Sequence, residues 1–215
     1  MLDSAQQRAN VVATQLRTND VTESRLIKAI LSVPREAFVP AALAPLAYME
    51  GCLPLGKGRV LLDLRSFGKL AQLAAIRAED RVLDVGCGTG YSTAVLAQLA
   101  ARVAGLEQDR ELAEIAKGHL KGSANAEIAS STMSEGLPAK APFDVIFLNG
   151  AIEQTPHILT QQLADGGRLV CIAKDGAAGH ARLFVKDGGA IGERDAFDAQ
   201  VPVLPGFEKI RSFAF

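Results

Sequence analysis

Apolar residues in this chain change their period near residue 80. Before that point they recur at helical spacing. Ser4 with Gln7 reads as a capping box opening a helix to about residue 17. Asn19-Asp20 breaks it, and Thr22 is placed to cap a second helix whose stripe is Leu26, Ile27, Ile30 and Leu31. Pro34 ends that helix, because proline cannot continue the hydrogen-bond ladder. Pro40, Pro45 and Pro54 mark an irregular connection, and a third helix over about 65–77 carries Leu70, Leu73, Ala74 and Ile76 to the core.

After residue 80, short apolar runs alternate with helical stretches. Strands are expected at 82–85, 102–106, weakly at 127–129, at 145–148 and at 168–172. Helices are expected at 92–99, 110–121 and 156–163. Val145-Ile146-Phe147-Leu148 is apolar throughout, as a parallel strand covered on both faces should be. The alternation predicts a doubly wound, mostly parallel α/β sheet with right-handed crossovers. The tail differs: 182–186, the turn Asp187-Gly188-Gly189 and 198–204 read as antiparallel strands closing one edge. Residues 1–78 are thus expected to form a helical extension packed on a domain spanning 79–215.

The candidate chemistry sits where the first of these strands ends. Arg81-Val82-Leu83-Asp84-Val85-Gly86-Cys87-Gly88-Thr89-Gly90-Tyr91 joins a strand to a helix through a glycine-rich turn, and Glu107 closes the next strand. An acid there suits ribose hydroxyls. The glycines are spaced G-x-G-x-G rather than the G-x-G-x-x-G of dinucleotide sites, and Asp84 precedes them. A carboxylate at that position repels a pyrophosphate and suits a cationic ligand. S-adenosyl-L-methionine, with an ammonium, a sulfonium and no phosphate, is therefore the expected cofactor. Ligands of such sheets lie at the carboxyl ends of the strands. That rule adds Gln108, Asp109, the stretch 130–133 and Asn149-Gly150.

Composition narrows the setting. With 215 residues and a net charge of -1, the chain is long enough for a sizeable core and gives no sign of attraction to nucleic acid or anionic membrane. Cys52, Cys87 and Cys171 are too few and too scattered for a disulfide framework or a zinc site, which suggests a reducing, cytoplasmic location. Neither a signal peptide nor a membrane span is expected. His119, His157 and His180 have no metal-ligand spacing, and Lys57 with Arg59 reads as a small cluster of exposed charges.

Over about residues 4–205 the chain resembles the protein-L-isoaspartate O-methyltransferases, within the class I S-adenosylmethionine-dependent methyltransferases. The resemblance is carried by the glycine motif, by Val33-Pro34-Arg35-Glu36-Ala37-Phe38-Val39-Pro40, by Ala47-Tyr48 with Leu53-Pro54-Leu55-Gly56-Lys57-Gly58, by Ala141-Pro142-Phe143-Asp144, and by Gln162-Leu163-Ala164-Asp165-Gly166-Gly167-Arg168-Leu169-Val170. It implies a seven-stranded Rossmann-like methyltransferase fold and methyl transfer to an oxygen of a protein or peptide carboxylate, or of a small-molecule acceptor. It also implies a donor site made of Asp84, Gly86, Cys87, Gly88, Gly90, Glu107, Gln108, Thr132, Met133 and Asn149. In this resemblance the family's Thr-Ile-Ser stretch falls on Val60, Leu61 and Leu62, its Gly-Asp-Gly on Ser131-Thr132-Met133, and its Thr-Ala on Asn149-Gly150. The family's serine therefore has no hydroxyl counterpart, and no catalytic residue is assigned. Asp63, Arg65 and Ser66 are polar neighbours of the lost position. A protein of the same fold that binds the cofactor or a partner without catalysis is the alternative reading.

Overall fold

The computed structural model describes residues 3–209. Helix α1 (Ser4–Val11) continues through a wider, π-type turn over Val12–Leu16 and a tight turn over Arg17–Asn19. Its cap is Asp3, whose carboxylate accepts from the Gln6 N–H at 2.8 Å, and not the expected Ser4 box. Helix α2 (Ser24–Ser32) is likewise capped by Glu23, which accepts from the N–H groups of Arg25 and Leu26, rather than by Thr22. In both cases a carboxylate at the helix start satisfies orphan N–H donors and also complements the helix dipole. Leu26, Ile27 and Ile30 are buried as predicted, while Leu31 lies at the edge of the stripe, 37% exposed.

The connection read as irregular contains a hairpin, β1 (Leu53–Gly56) and β2 (Arg59–Leu61), turning through Lys57 and Gly58. Helix α3 (Leu64–Ala74) follows, capped by Asp63. Strand and helix then alternate: β3 (Arg81–Val85), α4 (Tyr91–Leu96), β4 (Arg102–Glu107), α5 (Arg110–His119), β5 (Ala126–Ser130), β6 (Phe143–Ile152), α6 (His157–Gln161), β7 (Leu163–Asp175), β8 (Ala178–Asp187) and β9 (Ala190–Asp198).

The main sheet has seven strands in the order β5-β4-β3-β6-β7-β8-β9. The first five are parallel and the last two run antiparallel to their neighbours. The expected last strand at 198–204 is displaced. Gly188 and Gly189, both with positive φ, make a two-residue turn, so β9 starts at once and pairs Ala190 with Asp187. Its residues are nearly all exposed, so they carry no core pattern to read. Residues 199–204 instead cross the strand ends, where the Leu204 N–H donates to the Ala151 carbonyl.

One apolar cluster joins α2, the hairpin and α3 to one face of the sheet, including Leu26, Phe67, Leu70, Val82, Val145 and Phe147. A second, including Leu83, Leu106, Met133, Ile146, Leu148 and Leu204, fills the other face. The strand order reverses between β3 and β6, which places the loop after β3 at the switch point. Among the described residues, no helix is long and apolar enough to cross a membrane.

Candidate donor site at the switch point

Two carboxylates anchor this corner, and both are fully buried. Asp84 ends β3. Its Oδ2 accepts from Ser92 Oγ at 2.7 Å and Thr93 Oγ1 at 2.6 Å, in the first turn of α4. Its Oδ1 accepts from Asn149 Nδ2 at 2.5 Å, on β6. Burial pushes the Asp84 carboxyl up from its ordinary 3.8 to about 6, and the three hydrogen bonds oppose that rise. Asp84 therefore joins β3, β6 and α4 around the glycine turn, and its lone pairs are largely used within the fold.

Glu107 ends β4. Its Oε1 accepts from the N–H groups of Gln108 and Asp109 at 3.0 and 3.2 Å. Its Oε2 accepts from the Gly88 N–H at 2.9 Å and from Arg59 Nε at 3.2 Å. The β4 carboxylate thus lies against the glycine loop, in the arrangement expected of an acid that receives ribose hydroxyls.

The glycines have a steric reason. Gly86 has φ +73, and a Cβ there would lie 2.5 Å from an Arg59 guanidinium nitrogen, 2.9 Å from Leu204 and 3.4 Å from the Met133 sulfur. At Gly88, φ +56, a Cβ would lie 2.7 Å from Leu55. Backbone comes close to side chains at both places, and only glycine permits it.

Asp84, Gly86, Gly88, Glu107, Met133 and Asn149 are therefore brought together. Cys87 is buried beside Gly105, and Gly90 caps α4. Gln108 and Thr132 are exposed at the border. Asp109 caps α5 through a 3.0 Å bond from the Leu112 N–H. Ser92 and Thr93 were not singled out from sequence, although their place one turn past the loop gave the signal.

Arg59 corrects the expectation of an exposed charge: it is only 3% exposed. Besides Glu107 it donates to the Gly86 carbonyl at 2.6 Å. The chemistry of the donor set fits S-adenosylmethionine, with an acid for hydroxyls and a close-approach loop. The space beside it is filled in this conformation by Arg59 and Leu55 from the hairpin and by Leu204.

In the segment that the resemblance sets against the family's serine stretch, Leu61 and Leu62 are buried in the apolar cluster and Val60 packs against it. The Leu62 carbonyl accepts from the buried Arg35 guanidinium at 2.6 Å, which fixes this segment against the signature after α2. Asp63, Arg65 and Ser66 line a cavity of about 600 Å³ with Gln15, Glu50 and Gln200. His119 donates from Nδ1 to the Thr89 carbonyl at 2.8 Å and packs on Phe38, His180 pairs with Asp198, and His157 is exposed. Among the described residues, no group of three His, Cys, Asp or Glu side chains is arranged to hold a metal ion.

The protein-L-isoaspartate(D-aspartate) O-methyltransferase family model matches residues 6–202. The chain belongs to this family. It is 40% identical over 165 residues to a protein-L-isoaspartate O-methyltransferase of Koribacter versatilis, covering 76% of this chain and 74% of that one. It is 39% identical over 171 residues to one of Methylorubrum populi, covering 79% and 80%. Its fold matches a solved β-aspartate methyltransferase from Plasmodium falciparum in complex with S-adenosyl-L-homocysteine. There the TM-score is 0.79 at 19% identity, covering 95% of this chain and 99% of that one. The chain is thus a member of this O-methyltransferase family, and its seven-stranded fold is that of the solved neighbour.

Proposed function

We propose that the protein transfers a methyl group from S-adenosylmethionine to a carboxylate oxygen of a protein or peptide, with an isoaspartyl residue as the first acceptor to test. The observation that carries this reading is the family match over residues 6–202 on a chain whose β3 and β4 acids converge on one glycine loop. When bound, the cofactor supplies an electrophilic methyl group on a sulfonium.

The residues of this chain do the rest. Glu107 receives the ribose hydroxyls as a charge-assisted acceptor. Gly86, Cys87, Gly88 and Gly90 let the donor lie against the backbone. Asp84, held by Ser92, Thr93 and Asn149, keeps that backbone in place and contributes negative charge beneath an ammonium. Met133 forms an apolar wall for the adenine, with Thr132 and Gln108 at the pocket border. In this reading residues 1–78 act as a helical extension of a donor-binding domain spanning 79–215. The free cysteines fit a reducing, cytoplasmic setting.

Loss of the hydroxyl at Leu62 is compatible with this chemistry. A carboxylate is already ionised near neutral pH, so the protein has mainly to align it with the methyl group and exclude water. The apolar segment 60–62 suits the second task.

The test is transfer of a labelled methyl group from S-adenosylmethionine to an isoaspartyl peptide, with its aspartyl isomer as control. Base-labile incorporation into the isoaspartyl peptide alone is expected. Absence of incorporation into any carboxylate acceptor by folded protein would overturn the reading.

A further inference from the structure

Glu107 accepts four hydrogen bonds, and three come from the backbone of its own turn and of the glycine loop. Among the described residues, only Arg59 arrives from elsewhere, 48 residues away in sequence. Its guanidinium spans the two polar features that face a ligand in this corner, the Glu107 carboxylate and the Gly86 carbonyl. Leu55, on the other strand of the same hairpin, covers Gly88. The hairpin therefore fills the donor pocket with one cation and one aliphatic group.

We propose that the β1–β2 hairpin is an intramolecular occupant of the donor pocket, with Arg59 as its latch on Glu107, so that Arg59 sets the protein's affinity for the donor. This rests on the reading of Glu107 as the donor acid. Ribose hydroxyls reach the Glu107 Oε2 only after the guanidinium leaves it. The exchange is uphill in charge, because a buried carboxylate loses a cation and gains neutral donors.

The hairpin is built to move. Among the described residues, it pairs with no strand of the main sheet. It has three paired positions and a bulge between Pro54 and Gly56, and a two-stranded ribbon is marginal by itself. Its turn places Lys57 and Gly58 at positive φ, outside the packed body. What holds it down is the packing of Leu53, Leu55 and Leu61 together with the buried ion pair. A site that is open only a fraction of the time binds weaker by that fraction, so a pocket open about a tenth of the time loses about tenfold in affinity.

The experiment is calorimetric titration of the unmutated protein and of Arg59→Gln with S-adenosylhomocysteine. Glutamine keeps an N–H for Glu107 but removes the cation and the reach to Gly86. The expected result is a dissociation constant about tenfold or more lower in the variant. Equal or weaker binding by a folded variant overturns the latch and leaves the donor-site reading standing. Binding by neither protein overturns both. Hydrogen exchange on the unmutated protein guards against a variant that does not fold. Saturating S-adenosylhomocysteine should raise exchange at the amides of residues 53–61, and unchanged or stronger protection there would overturn the latch.

Discussion

Asp84 and Glu107 end neighbouring strands, and both are fully buried, yet they are satisfied in opposite ways. Asp84 is held by two hydroxyls and an amide, all neutral, and its carboxyl is pushed up to about 6. Glu107 is held by backbone N–H groups and by a cation from a distant hairpin. The first arrangement is closed within the β3–β6–α4 frame and serves as scaffold. The second depends on a removable element. The difference separates a carboxylate that shapes the loop from one positioned to exchange partners.

The largest test of that difference is Glu107→Ala. It leaves Arg59 buried without its partner, and a broken buried pair costs about 3–5 kcal/mol. Urea denaturation should show that loss. Adding Arg59→Met to that variant removes the stranded cation and should recover part of the loss, because the N–H groups of Gly88, Gln108 and Asp109 stay without the carboxylate.

The Asp84 side is probed by pH. Its carboxyl titrates near 3.8 in the unfolded chain and at about 6 in the folded one, so the folded state favours the proton. The associated stability is fully present below the unfolded value and is lost as pH rises through about 6. The shift corresponds to about 3 kcal/mol. Relative to Asp84→Asn, which carries no such titration, the unmutated protein should lose about that much stability between about pH 3.5 and pH 7. A flat difference between the two profiles would contradict the burial that pushes the Asp84 carboxyl up.

Gly88→Ala strikes where the two systems meet. Positive φ and the 2.7 Å approach to Leu55 both oppose a methyl group, at a cost of about 1–3 kcal/mol, and the hairpin should exchange faster. The smallest effect belongs to Lys57. It sits two residues before Arg59 but pairs with Glu111 in the open, with side chains 59% and 73% exposed. Lys57→Ala should change stability by less than about 0.5 kcal/mol, which thermal melts can bound.

The sequence made the sheet legible because its period was clear. Val145-Ile146-Phe147-Leu148 is apolar throughout and proved to be the central strand beside β3. The Asp84 and Glu107 positions were legible because a strand, a glycine turn and a second strand carry them at fixed intervals. The hairpin was not. Leu53-Pro54-Leu55-Gly56 contains a proline and two residues of short alternation, and Arg59 carries no mark in sequence that it turns inward. Its burial follows from a tertiary meeting with Glu107 that no local pattern encodes. The helix caps were misplaced for a related reason: hydroxyl residues stood next to carboxylates, and the carboxylates won by serving the N–H groups and the dipole together.

The most direct test is a crystal structure with S-adenosylhomocysteine bound. The expected structure has the ribose hydroxyls on Glu107, the Asp84 cage with Ser92, Thr93 and Asn149 intact, and Arg59 withdrawn with the hairpin. A ligand seated elsewhere, with the Arg59–Glu107 pair still closed at full occupancy, would contradict it.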